Sequence, residues 1–287
     1  MFIKRCLLIL IICSNLFSKE KITLYPDWLN QFQFAGYYIA KEKGFYEDFG
    51  LDVNIKPFNQ NINIVDEVLN NSATYGIGKS SLILEKYNDK NIVFVSSIFQ
   101  ESPLILVSLK NKNINNISDL QNKRVMITDD AIQTATIKSI LNSDKNFNFS
   151  SLNILPHSGN IDDLINNKTD VMACYLSNEP YTLSKKGIDY NYFSTNYLNV
   201  NFYEGIIFTS QNEVLMNPYR VQSFDEASLM GWEYAFSNIE ETAKIIFEKY
   251  NSQNKSLDEL IYEGNVLKDL AKFDSGLLGN ININRIE

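Results

Sequence analysis

A chain of 287 residues is long enough for two domains or one large α/β unit, and 45% hydrophobic with 13% aromatic residues excludes disorder. A single histidine, His157, excludes a multi-histidine metal site and leaves one imidazole for any nucleophile pair. With 26 bases against 34 acids, a net charge of −8 and no basic block, a nucleic-acid or anionic-membrane surface is not expected.

The chain opens MFIKRCLLILIICSNLFS, with Lys4 and Arg5 ahead of an unbroken apolar run and small or polar residues after it. This is the plan of a secretory signal peptide over residues 1–18, too short to span a bilayer comfortably, and it predicts a periplasmic protein beginning near Lys19. Lipid attachment at Cys13 is disfavoured because bulky Ile12 stands where a small residue belongs. Losing the leader takes the net charge to −10 and leaves Cys174 as the one cysteine, so no intramolecular disulfide can form. A core of this size needs none.

Residues 21–25 read as a strand and 26–30 as a loop. From Gln31 to Gly44, Phe34 with Tyr38 and Ala35 with Ile39 recur at i, i+4, which predicts a helix, followed by a short turn ending at Gly50. Alternation over 51–57 predicts a strand. The rhythm continues with helix 64–70, strand 73–78, helix 80–87 and strands 92–98 and 104–108. A short helix follows at 117–120 with Ser118 as its cap, then strand 124–127, helix 132–141, strand 152–155, helix 161–166 and strand 171–176. Strands 190–193 and 206–209 come next, and the chain ends in three helical stretches, 218–237, 239–250 and 257–273.

Alternating strands and helices predict an α/β fold with parallel sheets covered by helices. The strands are too many for one ordinary sheet. Two lobes are therefore expected, one from residues 20–105 plus 205–287 and the other from 106–204, with strands 104–108 and 206–209 paired as a crossover. In such sheets ligands bind beyond the carboxyl ends of strands. The candidate loops are 26–34, 76–81, 100–103, 128–134 and 177–181, and Lys79 is their one cation.

The stretch WLNQFQFAGYYIAKEKGFYEDFGLDVNI resembles the opening of exported substrate-binding proteins of the thiamine-pyrimidine-precursor family, a branch of the nitrate, sulfonate and taurine binding proteins. YGIGKSSLILEK, IFQESPLILVS, DVMACYLSNEPYTLSKKGI and EASLMGWEYAF continue the resemblance in the same order, roughly from Ile22 to Tyr262. It implies a type II periplasmic-binding-protein-like fold, with a small aminopyrimidine-like ligand in the inter-lobe cleft. It also implies an ABC-transporter permease in the inner membrane as partner, no cofactor and a monomeric state.

Several residues can be read physically beside the resemblance. Trp28 follows Pro26-Asp27 in a loop and offers a flat face for stacking a heteroaromatic ring. Tyr37 and Tyr38 point to different helix faces, so at most one of them, Tyr38, is assigned to the cleft. Phe34 has core spacing, and the family resemblance puts it near the cleft. The run Gly76-Ile77-Gly78-Lys79-Ser80-Ser81 lacks the spacing of a phosphate loop, and Ser80 and Ser81 read either as a helix cap or as ligand hydrogen-bonders. Gln100 sits in one candidate loop. Asn178 and Glu179 precede Pro180 at a helix start, and Glu179 is expected just outside that helix, as a cap or as acceptor for a ligand amino group. Asp129 and Asp130 stand where a sulfonate or nitrate binder keeps a free helix end, so a neutral or cationic ligand is expected there, although plain capping fits as well.

Two other functions share the resemblance. One is the input domain of a membrane signalling protein, for which the polar ending GNININRIE offers no apolar segment. The other is a pyrimidine-precursor synthase using pyridoxal phosphate. Such enzymes carry a cysteine-rich motif that this chain lacks, and His157 in LPHSGNID reads as loop filling.

Overall fold

The structure, a computed structural model, describes residues 18–198 and 200–285. The expected leader lies outside them apart from Ser18, as does Cys13. In chain order the strands are β1 (Glu20–Tyr25), β2 (Leu51–Ile55), β3 (Tyr75–Gly78), β4 (Ile92–Phe99), β5 (Leu104–Leu109), β6 (Arg124–Met126), β7 (Asn153–Leu155), β8 (Val171–Tyr175), β9 (Tyr190–Phe193) and β10 (Glu204–Ser210). They form two five-stranded sheets, ordered β2-β1-β3-β10-β4 and β7-β6-β8-β5-β9.

Both sheets are mixed rather than purely parallel. β1, β2 and β3 run parallel, as do β6, β7 and β8, while β10 is antiparallel to β3 and β4, and β5 is antiparallel to β8 and β9. The cause is chain routing. β10 starts where β4 ends, with Glu204 opposite Phe99, because the chain returns to the first sheet at the end from which it left. The expected pairing of 104–108 with 206–209 is therefore incorrect: these strands belong to different sheets. The connections are the four residues 100–103 and the stretch between β9 and β10.

The first sheet carries α1 (Ala35–Glu42), α2 (Phe45–Asp48), α3 (Ile64–Leu69) and α4 (Leu82–Tyr87). The second carries α5 (Asp129–Gln133), α6 (Ala135–Asn142), α7 (Asp162–Ile165) and α8 (Glu179–Lys185). After β10, helices α9 (Gln211–Met216), α10 (Pro218–Ser237), α11 (Ile239–Lys249) and α12 (Leu257–Leu270) return to the first sheet. Gly44, at φ 80°, takes the left-handed turn between α1 and α2 that the sequence marked. The helix expected over 132–141 is instead two, because Thr134 is extended, its hydroxyl donating to the Ala131 carbonyl and accepting from the Ile137 N–H. Near 117–120 the cap is not Ser118: the Asp119 carboxylate accepts from the N–H groups of Asn115 and Asn116.

The larger core is aromatic. Phe224 of α10 lies stacked between Tyr75, at 3.9 Å between centroids, and Tyr46, at 5.5 Å. Trp232 one face further along meets Tyr37 and Phe99 edge-on, at 5.7 Å each. That packing requires α1 and α10 to approach closely. A Cβ on Gly231 would sit 2.0 Å from the Gly36 carbonyl oxygen, and one on Gly36 would sit 2.1 Å from the Trp232 ring.

The two connections are held by one acid and one tail. Glu204 is fully buried, accepting from the Ser102 hydroxyl at 2.8 Å and the Tyr175 hydroxyl at 3.2 Å, so it joins both connections to β8. Burial pushes its carboxyl up to about 8, with Lys79 opposing and Asp27 adding to the rise. Behind it, Arg285 donates to the carbonyls of Gln100 and Asn201 and lies 3.9 Å over the Tyr203 ring.

Two outcomes follow. Gly231→Ala should lower unfolding stability by about 1–3 kcal/mol or more by overpacking the α1–α10 contact, and an unchanged urea midpoint would contradict the close approach. Glu204 ionises in the unfolded chain near 4.5 but stays protonated in the fold to about 8, so its contribution is full below 4.5 and is lost as pH rises between the two. The stability of Glu204→Gln relative to wild type should therefore increase from pH 4 to pH 8 in denaturant titrations. A constant difference would contradict the shift.

Candidate functional site

The segments following β1, β3, β6, β7 and β8 converge between the two sheets, at the carboxyl ends of their strands, as open α/β folds favour. They enclose about 410 Å³ of space, part of it open to solvent. Trp28, Gln31, Gln33 and Lys79 line it from the first sheet, and Thr128, His157, Tyr175, Asn178 and Glu179 from the second.

The sequence QFQF makes one wall by alternation. It folds as a short 3-10 turn in which Phe32 and Phe34 enter the core while Gln31 and Gln33 are buried toward the cavity. The Gln31 amide donates to Gln33 at 2.8 Å, and Gln33 donates to Asp27 at 3.3 Å. Lys79, only 6% exposed, donates to Asp27 and Asp130 at 2.7 Å each. Burial alone would lower its pKa, but the carboxylates of Asp130 and Asp27 outweigh that and raise it, so it is a fixed cation. Asp130 belongs to α5, so this ion pair bridges the two sheets.

Trp28 is half-buried, with its ring 5.3 Å from that of His157 at 85° and 5.3 Å from that of Phe58 at 41°. The Gly159 N–H donates to Nδ1 of His157 at 2.9 Å, which leaves Nε2–H to donate to the Ala173 carbonyl at 2.8 Å. Burial depresses the imidazole pKa. His157 is thus a neutral ring with both nitrogens engaged, and its place is to hold Trp28.

Asn178 bridges the sheets at the other side of the cavity. Its amide donates to Gln31 at 3.1 Å and its carbonyl oxygen accepts from Lys255, which is paired with Glu263 at 2.8 Å. Nearby, Thr182 donates to Glu259 of α12 at 3.2 Å. Glu179 is not outside the helix: it is the first residue of α8. Its carboxylate accepts from the Tyr175 N–H at 2.9 Å and the Asn178 amide at 3.2 Å, and burial pushes its pKa up.

The expected site residues therefore divide. Trp28, Asn178 and Glu179 come together at the cavity. Phe34 and Tyr38 are completely buried in the first core, with Tyr38 stacked at 4.0 Å on Tyr250 and donating to Asn30. Gln100 faces the tail, donating to the Asn280 carbonyl and accepting from Arg285. Ser80 and Ser81 lie outside the lining and neither caps α4: Ser81 makes no capping bond, and the Ser80 hydroxyl is buried without a partner. Asp129 and Asp130 form the first turn of α5, which Thr128 caps through the Ala131 N–H.

Sequence reasoning missed Gln31, Gln33 and Lys255. The glutamines were legible in the alternation of QFQF, which was absorbed into a helix. Lys255 reaches Asn178 from 77 residues away, with no local signal. Lys79 had one, as the lone cation among the strand-end loops.

Among the described residues no helix is long and apolar enough to cross a membrane. The family described as NMT1/THI5 like matches residues 31–242. The riboflavin-binding protein RibY of Chloroflexus aurantiacus is 23% identical over 235 residues, covering 77% of this chain and 64% of that protein, so the chain spans less than two thirds of its length. The periplasmic aliphatic sulphonate binding protein SsuA of Escherichia coli shares the fold at TM-score 0.66 and 11% identity, over 93% of this chain and 91% of that one. The periplasmic nitrate-binding protein NrtA of Synechocystis PCC 6803 does so at TM-score 0.63 and 13% identity, over 84% and 69%. With a match that runs from the cavity wall at Gln31 into α11, and a two-sheet fold shared with periplasmic binding proteins, the chain belongs to the NMT1/THI5-like family.

Proposed function

We propose that this protein is an extracytoplasmic solute-binding component of an ABC transporter. It captures a flat nitrogen heterocycle of the aminopyrimidine class between two lobes, residues 20–105 plus 205–287 and residues 106–204, and delivers it to a membrane permease. The observation that carries this reading is the cavity itself: an indole braced by His157 on one side and amides and a carboxylate on the other. An aromatic face with a few convergent polar groups is how small heterocycles are held. Trp28 stacks on the ring, and Gln31, Asn178 and Glu179 address its edge. The chain is neither a sensor nor an enzyme on this reading. His157 is neutral and has both nitrogens bonded within the protein, so it is not a free base.

A second ligand is favoured by one observation, the likeness to a riboflavin-binding protein. Its tricyclic ring is also flat, with hydrogen-bonding edges.

Lys79, the cation in the cavity wall, is already paired with Asp27 and Asp130, and Glu179 lines the same cavity, which disfavours an oxyanion. Calorimetry with 4-amino-5-hydroxymethyl-2-methylpyrimidine, riboflavin, nitrate and an alkanesulfonate separates the readings. The pyrimidine should bind and the two anions should not. Trp28→Ala should weaken binding by one to two orders of magnitude, in line with the ~1–3 kcal/mol of a lost base–aromatic stack. Tight binding of an anion, or unchanged affinity in Trp28→Ala, would refute the assignment, and binding of riboflavin alone would transfer it to flavins.

A further inference from the structure

The charged groups around the cavity do not balance. Lys79 is matched by buried Asp27, and Lys255 by buried Glu263, each pair lying within the first lobe. Once these are paired, two carboxylates are left on the second lobe. Asp130 shares Lys79 and keeps about half its side chain, 51%, in water. Glu179 is less exposed than Asp130. It lines the cavity, and its hydrogen-bond donors are a backbone N–H and a neutral amide. Behind the cavity floor, the Glu204 carboxyl stays protonated to about 8 and adds no charge to this sum. His157, the one imidazole, is bonded as the neutral ring and supplies no positive charge.

A partly buried carboxylate whose hydrogen-bond donors are all neutral is costly, and a cation placed against it recovers that cost. We infer that the cleft selects its heterocycle as a cation: the ligand is bound protonated on a ring nitrogen, next to its amino group, with the positive charge completing the pocket against Glu179. This inference rests on the heterocycle reading of the same cleft and adds the charge state to it. The electrostatics agree in direction. Burial pushes Glu179 up, with the Lys255 ammonium opposing only in part, so its ionised form is one that a bound cation would stabilise. The ionisable groups facing Glu179 are Cys174 and Tyr175 of β8 and, from the first lobe, Lys255 and Glu263.

The consequence is proton uptake by the ligand. A weakly basic aminopyrimidine is mostly neutral above its own pKa, so binding as the cation must draw one proton from solution. The proton goes to the ring nitrogen, and the carboxylate stays ionised.

The test is calorimetry in two buffers of different ionisation enthalpy, one pH unit above the base's pKa. The probes are 4-amino-5-hydroxymethyl-2-methylpyrimidine and its 4-oxo analogue, which has the same outline and no comparable basicity. The amino compound should bind at least tenfold more tightly and take up close to one proton, and the oxo compound should take up none. Glu179→Gln, which can still accept from Tyr175, should weaken the amino compound at least tenfold and change the oxo compound by no more than about twofold. Equal uptake with both compounds would put the proton on the protein and overturn the inference, as would binding of the amino compound without uptake. In either case a binding loss in Trp28→Ala would leave the heterocycle site standing. Failure of both compounds to bind overturns the site reading and this inference together.

Discussion

A lysine ammonium buried at 6% exposure cannot stand alone, because removing it from water costs several kcal/mol unless carboxylates surround it. Lys79 meets this constraint with one acid from its own sheet, Asp27, and one from the other, Asp130. The first contact fixes the loop after β1, which carries Trp28 and, through Gln33, the glutamine wall. The second draws α5 and the second sheet across the cavity. The shape of the site thus depends on satisfying one charge. Lys255 repeats the arrangement on the far side of the cavity, anchored by Glu263 and reaching across to Asn178. A polar bridge therefore flanks the ligand space on either side.

Opposite these bridges the two connections between sheets are reinforced in a different way. Glu204 ties Ser102 to Tyr175, and the tail lays Arg285 over both connections. The Lys79 and Lys255 bridges are charged, whereas Glu204 is a buried carboxyl held by two hydroxyls.

The order of strands and helices was legible because each is short, apolar and bounded by turn residues, and α10 was read over its full length. Sheet direction was not, since pairing of β10 with β3 and β4 depends on where the chain re-enters and not on its local pattern. At the site, Trp28, Asn178 and Glu179 were readable as polar or aromatic residues in strand-end loops, where side chains are not consumed by the core. Phe34 and Tyr38 have helical spacing, and packing against α10 and α12 took them inward. Gln100 was placed by position alone, yet a tail 180 residues away in sequence occupies its amide. Lys255 and Glu204 act through contacts across the whole fold, which no window of sequence contains.

The central claim is that the Lys79 charge, shared between Asp27 and Asp130, holds the two sheets together across the cavity. It is tested most directly by measuring the distance between spin labels on cysteines introduced at exposed Tyr87 and Asn146, one beside each sheet, with buried Cys174 left in place. Unliganded wild type at low salt should give a short, narrow distribution. Asp130→Asn should shift the unliganded distribution to longer distances, and added ligand should restore the short one. An unliganded distribution for Asp130→Asn that coincides with wild type would contradict the claim.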